Sequence, residues 1–148
     1  MMEKESNLEL DWFFEYWIGA TKTIDYGIKT VEANKKTTDI TLYKKGEMPM
    51  PLDVLVTLNN GEKYVYYIPL RMMRGEKAND IEDSEFVIMP DWPWTYPEYQ
   101  LNIKHMKKDI KSIEIDPSKL MSDYDRSNNK FPGVIEKKDT TFKASEKK

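Results

Sequence analysis

Residues 51–70 read PLDVLVTLNNGEKYVYYIPL, and their pattern predicts two strands joined by a turn. Apolar side chains recur at every second position on both sides of Asn59-Asn60-Gly61, which is the period of a strand with one buried face. Gly adopts positive φ freely and Asn tolerates it, so this tripeptide can reverse the chain. An isolated hairpin is marginally stable in water. The rest of the chain must therefore cover its apolar face.

The same period of two recurs on both sides of the hairpin. It marks further strands near Ile24–Thr30, Thr38–Leu42, Phe86–Met89, Tyr99–His105 and Ile113–Ile115. With the hairpin this gives about seven strands, at a spacing of roughly 8–15 residues and with no helical pattern between them. We therefore predict an all-β fold, an antiparallel immunoglobulin-like or fibronectin-like β-sandwich, in which two sheets bury their apolar faces against each other.

The N-terminal segment has a helical pattern instead. Ser6 and Glu9 are spaced as in a capping box. The apolar residues that follow at helical spacing are Leu10, Phe13, Phe14, Trp17 and Ile18. Trp12 and Tyr16 lie off this stripe, so the predicted short N-terminal helix is aromatic on nearly every side. Two interpretations stay open: the extra rings cover loops of the sandwich, or the helix belongs to a neighbouring helical domain.

Composition excludes several classes of site. The chain has 148 residues, no cysteine and one histidine, so disulfides, thiolate metal sites and two-histidine zinc sites are absent. Its formal net charge of −3 provides no electrostatic attraction to nucleic acid. No apolar run approaches the ~20 residues of a membrane span. No apolar signal-peptide core follows Met1, although a targeting segment further upstream is left open.

Motifs for catalysis or metal binding are weak. The zinc helix H-E-x-x-H and the nucleophile elbow G-x-S-x-G are both missing, and we interpret His105 as a structural or surface residue. Residues 123–129, DYDRSNN, resemble the oxygen spacing of a calcium loop, but the glycine and the glutamate that such a loop needs are absent. Calcium binding and a side-chain-capped turn stay open, and we favour the turn.

Residues 91–99, DWPWTYPEY, place four aromatic residues and two prolines within nine positions. Aromatic rings on a stiff loop can stack on sugars or bind a peptide. They can equally close one end of a sandwich or face another domain. We favour the structural or interdomain interpretation.

Residues 10–18, LDWFFEYWI, followed by a strand from Thr23, resemble the junction after the catalytic domain in aminopeptidase N-like zinc metallopeptidases (gluzincins) of the bacterial type. In that family an aromatic helix ends the helical catalytic part, and a β-sandwich follows. IEIDP at 113–117 and DYDRSNN at 123–129 are similar to the closing strand and turn of that sandwich. The resemblance covers about residues 8–132.

The resemblance implies a non-catalytic C-terminal domain that braces the catalytic domain of an aminopeptidase and helps to shape its substrate cleft. Residues 1–22 would then be the N-terminal helix, a remnant of the preceding helical domain, residues 23–132 the β-sandwich domain, and residues 133–148 a flexible charged tail. The family's zinc helix and its substrate-recognition motif are missing, so no catalytic residue carries over. We expect no enzyme activity and no cofactor in this chain, with zinc only in the missing catalytic domain.

The same resemblance implies the partners. The expected partner is the catalytic domain of the same parent peptidase, with peptide substrate reached only through that parent. A periplasmic or extracellular location is favoured if the parent is exported. The expected interdomain contact residues are Trp12, Phe13, Tyr16, Trp17, Trp92 and Trp94. The alternative is a free-standing β-sandwich that binds carbohydrate or protein through the loop from Trp92 to Tyr99.

Overall fold

A computed structural model describes residues 11, 21–70, 77–93 and 95–133. These residues form an almost entirely β structure with two short 3-10 turns, Lys107–Asp109 and Arg126–Asn128. The strands are β1 Tyr26–Asn34, β2 Thr37–Lys44, β3 Leu52–Leu58, β4 Lys63–Ile68, β5 Glu85–Ile88, β6 Glu98–Ile103, β7 Ile110–Ile115 and β8 Lys130–Phe131. The all-β prediction is confirmed. The predicted N-terminal helix lies outside the described residues apart from Asp11, as does the tail after Gly133.

The strands form two sheets. One has the order β1-β2-β6 and the other the order β5-β4-β3-β7-β8. The predicted hairpin is present as β3 and β4, with Gly61 at φ +93° in the turn. β3 is also paired with β7, so it lies in the middle of the larger sheet. Its side chains alternate between fully and partly buried along its whole length, as expected for a central strand with one face on the core.

The antiparallel prediction is wrong at one pair of strands. β4 and β5 run parallel, with Tyr64 opposite Glu85 and Tyr67 opposite Ile88. A hairpin would join neighbouring strands through a few residues, whereas a parallel pair needs a long return connection. Residues 69–84 supply that connection. The local pattern of Phe86–Met89 predicted a strand there but carried no information about its direction.

The two sheets share one hydrophobic core. Its residues come from β1, β2 and β6 on one side and from β3, β4 and β7 on the other. The core side chains without any exposed surface are Ile40, Leu42, Val54, Val56, Leu101 and Ile113. This arrangement confirms the prediction of two sheets that cover each other.

Among the described residues, no helix is long and apolar enough to cross a membrane.

Candidate functional site

Residues 23–26 lead the chain into β1 between two loops, 45–48 and 123–129, and we call these three segments the N-terminal junction. On one side, backbone N–H groups of loop 45–48 donate to the carbonyl oxygens of Thr23 and Asp25, over 2.9 to 3.2 Å. These hydrogen bonds continue the pairing of β1 with β2 toward the N-terminus. They hold the leading backbone against the three-stranded sheet.

The other side of the same backbone contacts loop 123–129. Ile24 forms a parallel bridge with Asp123, and the Tyr124 N–H donates to the Ile24 carbonyl over 2.8 Å. The Tyr26 N–H donates to the Asp123 carboxylate over 3.1 Å. Residues 23–26 are therefore held by hydrogen bonds on both sides, so their orientation relative to the sandwich is determined.

Gly46 makes the close contact in this junction sterically feasible. A Cβ atom at Gly46 would lie 2.3 Å from the Thr23 carbonyl oxygen and 2.6 Å from the Asp25 nitrogen. Both distances are far below van der Waals contact, so only glycine fits without a backbone shift. The sequence predicted a loop at Gly46, but nothing in its local pattern indicates which distant backbone lies against it.

Asp25 ties the junction to the sheet through its side chain. Its side chain is buried, and the Asn128 amide donates to Asp25 Oδ1 over 3.1 Å and to the Tyr43 hydroxyl over 3.0 Å. The Lys45 ammonium lies 4.0 Å from Asp25 Oδ2. A buried carboxylate without donors would be strongly destabilising. These contacts therefore stabilise the link between β1, β2 and the turn at Asn128.

The oxygen-rich loop 123–129 uses its side chains to cap turns. Asp123 Oδ1 accepts from the Asp125 N–H over 3.0 Å, and Asp125 Oδ1 accepts from the Ser127 N–H over 3.1 Å. The bonds to Ser127 lower the pKa of Asp125. These contacts are those of the side-chain-capped turn favoured from the sequence. Among the described residues, no cluster of three or more His, Cys, Asp or Glu side chains could hold a metal ion.

Trp92 closes the end of the core beside the junction. Its side chain is 4% exposed, and its indole N–H donates to the Tyr96 carbonyl over 2.8 Å. The Trp92 ring contacts the rings of Tyr26 and Tyr99, with centroids 5.5 and 5.3 Å apart. At Trp92, the aromatic loop therefore packs on the core, as the structural interpretation expects. Burial raises the pKa of Tyr99 to about 12.

The other predicted contact residues lie outside the described residues, and their interdomain role stays a prediction. They are Trp12, Phe13, Tyr16, Trp17 and Trp94. His105 is partly exposed; its ring contacts that of Tyr64, and its carbonyl accepts from the Thr38 hydroxyl over 2.7 Å.

Two open depressions adjoin the junction. One, of about 460 Å³, is lined by Lys22, Lys44, Gly46, Glu47, Thr95 and Pro97. The other, of about 420 Å³, is lined by Lys29, Tyr43, Lys44, Lys45, Pro97 and Glu98. Burial, followed by the charge of Lys22, lowers the pKa of Lys44. The surface around the junction is therefore concave and rich in lysine. Its concave shape suits contact with a convex neighbour.

We compared the chain with protein-family models, with curated proteins and with solved structures, and found no match in any of the three. The resemblance to aminopeptidases thus stays a prediction from residues 8–132.

Proposed function

We propose that this chain is a non-catalytic β-sandwich domain that braces the catalytic domain of an aminopeptidase N-like zinc peptidase. The observation that supports this role best is the N-terminal junction, where residues 23–26 are hydrogen-bonded on both sides. Domains joined by a loose linker move relative to each other by default. A bracing domain needs a rigid connection instead, so that the two domains keep a fixed relative orientation.

The junction meets this requirement in its backbone and its side chains. Backbone bonds hold residues 23–25 against loop 45–48, and the Asp123 carboxylate holds the start of β1. A change of backbone angle at Thr23 would break several of these bonds together. The direction in which the chain enters the sandwich at Thr23 is therefore defined, as a brace requires.

The contact itself would be made by apolar burial. The residues expected to meet the catalytic domain are Trp12, Phe13, Tyr16, Trp17 and Trp94. Apolar area buried between domains contributes about 25 cal/mol per Å² before the cost of ordering is subtracted. We infer further that the sandwich is of the immunoglobulin or fibronectin kind. Its two sheets around one core support this inference, and the parallel β4–β5 pair departs from it.

The test is to mix this chain with a separately expressed aminopeptidase catalytic domain from the same organism. We expect the melting temperature of the catalytic domain to rise and its hydrolysis of an aminoacyl reporter to change. A Trp17→Ala variant should lose the effect. A Glu32→Ala variant, altered at an exposed position of β1, is the matched control and should keep it. If the chain changes neither stability nor activity, the bracing role is wrong.

A second candidate is binding of carbohydrate or protein by the loop from Trp92 to Tyr99. Tyr96 favours it, because its side chain is 60% exposed on that loop. The burial of Trp92 argues against it, because a buried indole offers no face to a ligand. Glycan-array binding that Tyr96→Ala removes would favour this candidate over the brace.

A further inference from the structure

The edge of β6 that faces away from β2 is open in the described part of the chain. The smaller sheet has the order β1-β2-β6, so β6 is paired on one side alone. The Lys44 N–H donates to the Pro97 carbonyl over 2.8 Å, and the register pairs Leu42 with Tyr99. Backbone groups alternate in direction along an antiparallel strand. The N–H and C=O groups of Glu98, Gln100 and Asn102 therefore point to the open side.

The opposite edge of this sheet, on β1, is blocked. The same alternation makes the Tyr26 N–H and the Val31 carbonyl point outward. The Tyr26 N–H donates to the Asp123 carboxylate over 3.1 Å, and the Lys107 ammonium donates to the Val31 carbonyl over 2.7 Å. The register also shifts between Ile28 and Thr30. Side-chain contacts and bulges of this kind prevent a further strand from pairing.

The edges of the larger sheet are short. β5 spans Glu85–Ile88, and β8 spans Lys130–Phe131. β6 has six residues, no bulge in its pairing with β2, and no proline or lysine within Glu98–Ile103. It is the longest unblocked edge among the described strands.

The outward side chains of β6 leave its backbone edge clear. The Thr41 hydroxyl donates to Gln100 Oε1 over 3.2 Å. Lys29 binds Glu98, and Asn102 binds Asp39. All three side chains of β6 contact residues of β1 or β2, so these contacts do not cover the open side. The core-facing residues of β6 alternate with these polar positions.

We propose that β6 pairs with β6 of a second copy of this chain, antiparallel and about a two-fold axis at Gln100. Gln100 then lies opposite Gln100 of the partner subunit, and Glu98 lies opposite Asn102 of the partner subunit. These are the residues whose backbone groups point outward, so each pair exchanges two backbone hydrogen bonds. The two three-stranded sheets join into one continuous sheet.

A second copy suits this edge better than an unrelated strand because the sequence of β6 complements itself. In this register, no charge lies opposite a like charge, since Glu98 meets an asparagine amide and Gln100 meets its own copy. Opposed like charges would be destabilising. On the core side, Tyr99 lies opposite Leu101 of the partner subunit, which extends the apolar face. A two-fold contact of this kind is self-complementary and closes as a dimer.

Charge exchange at Gln100 tests the dimer, because in this register Gln100 alone faces itself. We expect sedimentation of the unaltered chain at high concentration to show a mass of about twice 17.5 kDa. Gln100→Lys and Gln100→Glu should each sediment as monomers, and an equimolar mixture of the two should dimerise. A monomeric unaltered chain, or single variants that dimerise as well as it does, would overturn the proposal. Circular dichroism checks that each variant is folded.

A cysteine test gives an independent readout, since the chain has no cysteine of its own. Directly opposed residues of a hydrogen-bonded pair have Cα atoms ~5.5 Å apart, within the range of a disulfide. Gln100→Cys should therefore form a covalent dimer on mild oxidation. Glu32→Cys, exposed on β1, is the matched control and should stay monomeric. Equal rates of dimer formation for both variants would contradict the pairing.

Discussion

The ring of Tyr26 meets the indole of Trp92 edge to face, with centroids 5.5 Å apart and planes at 73°. The Tyr26 hydroxyl also accepts from the Met50 N–H over 2.8 Å, and its own N–H donates to Asp123. One side chain and its backbone thus connect the N-terminal junction, the chain before β3 and the aromatic loop. Burial raises the pKa of Tyr26, so its hydroxyl stays protonated at physiological pH.

Trp92→Ala should destabilise the fold by about 3–5 kcal/mol, because it removes a large buried ring and leaves a cavity. Urea unfolding measures the change. Tyr96→Ala is the matched control, since this neighbour is exposed and its backbone carbonyl still accepts from Trp92. We expect the control to stay within about 0.5 kcal/mol. Equal effects of the two variants would show that Trp92 is not part of the core.

Gly46→Ala should destabilise the chain by about 1–3 kcal/mol, as overpacking does. The added Cβ would lie 2.3 Å from the Thr23 carbonyl oxygen, so the junction backbone must move. Gly133→Ala is the control, because its Cβ would meet its nearest atom at an ordinary 3.7 Å. Thermal unfolding gives the stability, and amide chemical shifts of residues 23–26 report the movement. Unchanged shifts at Thr23 and Asp25 would disprove the close contact.

Asn128→Ala should cost about 1–3 kcal/mol, because it deprives the buried Asp25 carboxylate of a donor. The Tyr43 hydroxyl loses its contact with the amide at the same time. Asn34→Ala removes a comparable amide from an exposed hydrogen bond to Asp39 and should change stability little. Chemical denaturation of both variants makes the comparison. A larger loss for Asn34→Ala would show that the junction network is not stabilising.

Asp53 is expected to make the stability of the fold depend on pH. Burial raises its pKa, which the Lys77 ammonium, 2.6 Å from Oδ2, offsets only in part. Burial opposes the charge on Lys77 as well, yet its bonds to Asp53 and Asp80 leave the Lys77 pKa raised. The two raised pKa values are consistent with a pair that is charged at neutral pH. Lys77 gains bonds to two carboxylates, whereas the bond from Lys77 to Asp53 offsets only part of what burial costs the Asp53 carboxylate. Among the described atoms, Asp53 Oδ1 is buried without a hydrogen-bond partner.

A raised pKa means that the folded state holds its proton more tightly than the unfolded state. The stability contributed by this tighter binding of the Asp53 proton is therefore fully present below the unfolded pKa of about 3.9. It is lost as the pH rises through the folded value. We expect the free energy of unfolding of the unaltered chain, minus that of Asp53→Asn, to be most positive at low pH and to fall with rising pH, because Asn does not titrate. Urea unfolding at several pH values checks this, and a gain in the stability of the unaltered chain relative to Asp53→Asn with rising pH would contradict it.

The sequence by itself determined the strands, because burial on one face imposes a period of two that is visible within a few residues. The hairpin of residues 51–70, its turn at Gly61 and the all-β class all follow from this local pattern. β8 has two residues, too few for a period to show, and was not predicted.

Only the tertiary structure decided which distant segments meet. The parallel direction of β5, the approach of Gly46 to Thr23 and the contact of Asn128 with Asp25 join residues far apart in the chain. Local periodicity reports which side chains are buried but not which backbone lies against them. That choice depends on how the two sheets and their connections share one core, a property of the whole chain.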